Sequence, residues 1–103
     1  MHVREIAPDE LTAVLALYEH LHDGDEPPPD QSTAERTWSE AVANPRIRYF
    51  GGYETSALVS CCTITVVPNL TRGCRPYAVI ENVVTHREHR NVGWGKAVLA
   101  AAL

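Results

Sequence analysis

The sequence holds no run of lysine or arginine; its 9 basic residues are scattered among 13 acidic ones, for a formal net charge of −4. A nucleic-acid binder needs a concentrated basic face to displace counterions from phosphates, so that class is set aside. No apolar stretch approaches the roughly 20 residues needed to cross a bilayer, and the amino terminus lacks the basic-then-apolar layout of a signal peptide. These absences predict a soluble, cytoplasmic protein with no membrane or nucleic-acid partner. Cysteine is scarce and odd in number, and two of the three, Cys61 and Cys62, are adjacent. Neighbours in a strand point to opposite faces, so free thiols in a reducing compartment are expected. No Cys, His and carboxylate cluster has ligand spacing. His86 and His89, three apart, come nearest, and no metal is expected.

What is present suits one globular domain. The chain has 103 residues, 45% hydrophobic and 21% charged, enough for a single core without disulfides or a metal and outside the composition of disorder. His2 to Ala7 reads as a short strand. Pro8-Asp9-Glu10 has the proline and acidic residues of a first helical turn, and Leu11, Val14, Leu15, Tyr18, Leu21 and His22 recur at helical spacing, so residues 9–22 are expected as helix. Asp23 to Asp30, with four acidic residues and three consecutive prolines, reads as an exposed loop. Ser32 and Glu35 have the spacing of a capping box, and Ala34, Trp38, Ala41 and Val42 form the apolar side of a second helix ending at Asn44-Pro45.

From Arg46 the period changes to alternation. Ile47, Tyr49 and Gly51 lie on one side of a strand reaching Glu54, Thr55-Ser56 turns it, and Leu58 to Val67 is apolar on both faces, as in a central strand. Asn69 to Arg75 is a polar hairpin loop, Tyr77 to Thr85 a further strand, and Gly93 to Leu103 a helix. The order is βααβββα.

The segment that carries chemistry is the strand Ile80 to Thr85, a charged loop, and Arg90-Asn91-Val92-Gly93-Trp94-Gly95-Lys96 opening an alanine-rich helix. Such a turn gathers backbone N–H groups pointing one way, and the helix dipole adds partial positive charge where they converge. Gly93 and Gly95 let the backbone approach a pyrophosphate, while Arg90 and Lys96 can supply counter-charge. Trp94, inside the turn, is expected to pack on the cofactor or the strand.

The stretch from Glu81 to Leu99 resembles the acetyl-CoA-binding motif of the GNAT acetyltransferase superfamily, Arg or Gln, two residues, Gly, one residue, Gly or Ala. Arg90, Gly93 and Gly95 match it. The resemblance is specific over about twenty residues, Ile80 to Leu99, and extends to the rest of the chain in topology. It implies an α/β (α+β) acyltransferase fold, with a mixed, mostly antiparallel sheet flanked by helices. It also implies that the main chain of Val83 and Val84 bonds the pantetheine arm of acetyl-CoA, that the backbone from Val92 to Lys96 holds the pyrophosphate, and that the strand is splayed to admit the cofactor. Asn91 stands where many members have glycine; asparagine tolerates a left-handed backbone, so the turn is expected to survive.

The resemblance further implies that residues 1–103 form one domain incomplete at its carboxy terminus, short of closing strands that commonly carry a tyrosine general acid. In that case Tyr77 to Thr85 is an open edge, and dimerisation or strand exchange is expected. Among residues present, Glu81 is the candidate catalytic base, on the strand just before the pantetheine-binding residues, where burial would raise its pKa. The alternative for Glu81 is a solvent-facing or paired carboxylate. Asn82 reads as structural, and Cys61 and Cys62 as small core residues. Asp23, Asp25, Glu26 and Asp30 are either an acidic lip for a cationic acceptor or a solvated loop. The expected activity is acetyl transfer from acetyl-CoA to a primary amine, either a small molecule such as an amino sugar or polyamine, or a protein amine. The alternative is a non-catalytic module that binds CoA or a protein partner.

Overall fold

A computed structural model describes residues 1–21 and 29–103. Four strands, β1 (His2–Glu5), β2 (Ile47–Glu54), β3 (Ala57–Val67) and β4 (Tyr77–Thr85), form one antiparallel sheet in the order β1-β2-β3-β4. Three helices pack on it: α1 (Leu11–Tyr18), α2 (Gln31–Ala43) and α3 (Trp94–Ala102). The predicted order of elements holds, and the predicted Tyr77 to Thr85 strand is at the sheet edge. No described helix is long and apolar enough to cross a membrane.

The amino-terminal helix departs from its expected span. Pro8–Glu10 is a 3₁₀ turn, and α1 ends at Tyr18, followed by turns to Leu21; His22 lies outside the described residues. The tighter first turn follows from Glu10, whose carboxylate reaches back to accept the Ala7 N–H at 2.6 Å, the glutamate half of a capping box. The same carboxylate accepts from Arg4 at 2.9 and 3.2 Å and from the Tyr53 hydroxyl at 2.8 Å, tying β1, β2 and the turn together. Val14 and Leu17 are the buried residues of α1. Leu17 lies outside the predicted stripe.

The capping box expected at Ser32 and Glu35 is absent. Asp30 is the N-cap instead, accepting from the Thr33 N–H at 2.8 Å and from the Ser32 and Thr33 hydroxyls at 2.9 and 3.0 Å, while Glu35 accepts from Gln31. An aspartate just ahead of the helix competes well for this role because its carboxylate also meets the positive end of the dipole. Trp38 and Ala34 are buried as predicted, and Trp38 Nε1 donates to Pro8 O at 2.7 Å, locking α2 to the entrance of α1.

The core has two halves, one on each face of the sheet. Ile6, Val14, Leu17, Trp38, Cys61 and Val84 cluster on the α1 and α2 side. On the other, Trp94 and Val98 of α3 press on Gly52, where a Cβ would lie 2.6 Å from the Trp94 ring. Full burial of side chains of this size contributes about 1.5 to 3 kcal/mol each, so α3 is seated mainly by these two. Cys61 and Cys62, both fully buried, do point to opposite faces: Cys61 sits with the α1 side, and Cys62 Sγ lies 3.8 Å from Val98 O on α3. All three cysteines are free thiols.

Two local irregularities shape β3 and β4. The loop between them contains one turn, Thr71–Cys74, with Arg72, Gly73 and Cys74 all in the left-handed region. In β4 the register with β3 shifts: Cys61 pairs with Val84 but Thr63 with Glu81, leaving Asn82 and Val83 together opposite Cys62. That is a β-bulge, and Asn82 takes φ +52° to form it, a conformation asparagine tolerates better than the β-branched residues around it.

Candidate active site

A cleft of about 490 Å³ opens where the end of α1, the last residues of β4 and the first turn of α3 meet. Val83, Val84, Arg90, Asn91, Gly93, Trp94, Gly95 and Lys96 line it, joined by His20, Leu21, Thr85 and His89. Of the residues the motif indicated, Val92 is 61% exposed and outside the lining, and Glu81 lies further back along β4.

The turn is built by two left-handed residues. Asn91 has φ +65° and Gly93 φ +95°; asparagine does survive in the first position, while the second lies beyond the range that side chains with a Cβ adopt readily. The first bond of the α3 ladder runs from Ala97 N–H to Gly93 O at 3.0 Å. The N–H groups of Trp94, Gly95 and Lys96 therefore precede the ladder, and Gly93 offers no side chain to cap them. A Cβ on Gly95 would meet only Thr85 Oγ1, at 3.8 Å. This cradle of donors at the positive end of a helix fits a pyrophosphate. The Trp94 side chain is 3% exposed and packs on Gly52 of β2.

The Arg90 side chain ties together two main-chain carbonyls. Its Nε donates to Thr85 O and its Nη2 to His20 O, both at 3.0 Å. His86 caps the 3₁₀ turn Arg87–His89, its Nδ1 accepting the Glu88 N–H at 3.1 Å, and its ring lies 4.2 Å from that of His20. Burial, then the neighbouring His86, Arg87 and Arg90, hold the His20 imidazole below its ordinary pKa.

Glu81 is exposed, not buried as expected. It pairs in register with Thr63 of β3 and so shares the face of the sheet that carries α1. Thr63 Oγ1 and the Tyr18 hydroxyl are buried there without a hydrogen-bond partner among the described residues. Cys61 on that face is no nucleophile: burial first, then Cys62, pushes its thiol up to about 12, and a protonated thiol does not attack. Of the acidic loop, Asp23, Asp25 and Glu26 lie outside the described residues, and Asp30 serves as the α2 cap.

Sequence reasoning missed His20, Leu21 and His89. Nothing local marks the end of α1 as a wall of this cleft, because it reaches the turn only through the fold.

The sequence model of the acetyltransferase (GNAT) family matches residues 12–103. Among solved structures, a protein of Agrobacterium tumefaciens str. C58 assigned as an acetyltransferase is 35% identical, with a TM-score of 0.90 over 99% of this chain and 70% of its own. An acetyltransferase of Trypanosoma brucei is 25% identical, with a TM-score of 0.78 over 97% of this chain and 70% of its own. Glucosamine-6-phosphate N-acetyltransferase of Arabidopsis thaliana, 17% identical with a TM-score of 0.81 over 97% of this chain and 69% of its own, shares the fold. No curated protein matches the chain.

Proposed function

We propose that this chain, which belongs to the GNAT acetyltransferase family, binds acetyl-CoA in the cleft between β4 and α3 and passes its acetyl group to a primary amine. The observation that carries this reading is the uncapped first turn of α3 beside two left-handed residues, opening into a cleft of about 490 Å³. The N–H groups of Trp94, Gly95 and Lys96 would receive the pyrophosphate, with the Lys96 ammonium at the rim. The main chain at Val83 and Val84, beside the bulge, would hold the pantetheine arm. Acetyl-CoA, as the acyl donor, supplies the activated thioester.

The reaction requires a neutral amine, whose nitrogen bonds to the acetyl carbon as the carbon–sulfur bond breaks and the thiolate takes a proton. Glu81 is proposed as the base that takes the amine's proton, directly or through one water. Its place on β4, just before the proposed pantetheine-binding residues, supports this; the acceptor is proposed as an amino sugar, a polyamine or a protein amine. Free thiols support a cytoplasmic location.

Calorimetric titration with acetyl-CoA and free CoA tests the site. Saturable binding at about micromolar Kd, some 8 kcal/mol, is expected, and Gly93→Glu should abolish it through a strained φ and charge repulsion. Unchanged binding by that folded variant would overturn the assignment. Binding with no turnover on an amine panel would instead favour the non-catalytic CoA-binding module.

A further inference from the structure

We infer that Arg90 is a positioning residue, a brace that holds the phosphate-binding turn against α1 and β4, rather than a ligand of the phosphates. The inference rests on the proposed cofactor cleft and deepens it.

Three elements meet at this side chain. Thr85 O ends β4, and His20 O lies past the last turn of α1, where Leu21 N–H still bonds back to Tyr18 O at 3.0 Å. Carbonyls at such ends lack partners within their own element and bear partial negative charge. The Arg90 guanidinium satisfies both at 3.0 Å from two of its three nitrogens, Nε and Nη2. A planar fork can bridge two acceptors in this way from two separate nitrogens; an ammonium has three rotatable donors on one nitrogen at the end of a flexible stem and does not hold the same pair in fixed geometry.

The rest of the joint repeats the pattern. His86 N–H is anchored to Val59 O at 2.7 Å, which fixes where the loop leaves the sheet. The His20 and His86 rings, 4.2 Å apart, and Arg87 Nε at 3.5 Å from His20 Nδ1 close the same seam between α1 and the loop. Arg90 is its last tie before Asn91 and Gly93 turn left-handed. Without it, the loop from Arg87 to Gly93 that leads into the first turn of α3 would have to be ordered by the ligand, which weakens binding by the ordering cost.

The test compares the unaltered chain with Arg90→Lys and Arg90→Gln. CoA is titrated at two salt concentrations, amide hydrogen exchange is followed in the free proteins, and the His20 titration is read by NMR. A brace predicts that both variants bind CoA about tenfold to a hundredfold more weakly with an unchanged salt slope. Exchange over residues 86–95 quickens before any ligand is added, while thermal stability falls little. Removing the nearby cation should raise the His20 pKa in Arg90→Gln and leave it near its original value in Arg90→Lys. Restoration of CoA affinity by Arg90→Lys, with a shallower salt slope in Arg90→Gln and unaltered exchange, would make Arg90 a phosphate ligand and overturn the inference. If the unaltered chain binds no CoA, the proposed function fails, and exchange in the free variants decides the brace by itself.

Discussion

Gly52→Ala should unseat α3 from the sheet. The added Cβ would stand 2.6 Å from Trp94 Cε3, 2.9 Å from Cζ3 and 3.3 Å from Val98 Cγ1, whereas non-bonded carbons rest at about 3.5 to 4.0 Å. The Trp94 ring must therefore retreat by about 1 Å, but it is 3% exposed and Val98 is fully buried, so the helix moves with it. Overpacking of this kind costs about 1 to 3 kcal/mol. In a domain of this size that lowers Tm by about 5 to 20 °C, measurable by circular dichroism. Because Trp94 opens α3, CoA affinity should fall in the population still folded. Gly51→Ala is the control: its closest contact, 2.6 Å, is the terminal Leu58 Cδ1, a methyl that can rotate aside, and α3 is not involved. A Gly52→Ala melt within about 1 °C of the parent, less than a 1 kcal/mol effect would produce, refutes the close seating of α3 on β2.

Three further outcomes follow from the same geometry. Asn82→Gly should leave stability nearly unchanged, whereas Asn82→Val should cost about 1 to 2 kcal/mol because a β-branched residue is forced to positive φ; equal denaturant midpoints for the two would argue against the bulge. For Glu10, desolvation raises the pKa, but the hydrogen bonds from Arg4, Ala7 and Tyr53 outweigh it, and the net shift is downward. The stabilisation is thus fully present above the unfolded value, near 4.5, and lost as pH falls through the lowered folded one; Glu10→Gln should flatten this acid limb in a melt series, and an unchanged limb would remove Glu10 as its source. Native protein should show one fast-reacting thiol toward a disulfide reagent, the exposed Cys74, with buried Cys61 and Cys62 reacting only in denaturant; rapid labelling of all three would contradict the packing of β3.

Local chemistry was legible in the residues themselves. The alternation from Ile47, the β-branched run through Cys61 and Cys62, and the glycine-bearing turn before an apolar helix each satisfy rules that act over a few residues. So the strands, the order of elements, the opposite faces of the two cysteines and the cradle at Gly93 to Lys96 could be read directly. Asn82 offered a signal too, as a left-handed-tolerant residue inside a strand, but a bulge is a property of two strands in register and appears only when Thr63 and Cys61 find their partners. Glu81 shows the same limit: its strand was evident, while its exposure depends on what covers that face. Asp30 displaced Ser32 as the α2 cap because the choice among neighbouring oxygens depends on where the chain enters the helix. What only the tertiary structure decided is the far wall of the cleft, where His20 and Arg90, 70 positions apart in sequence, meet at 3.0 Å. Sequence periodicity reports which face of an element is buried, but only the packing of α1 on the sheet reports what that face meets.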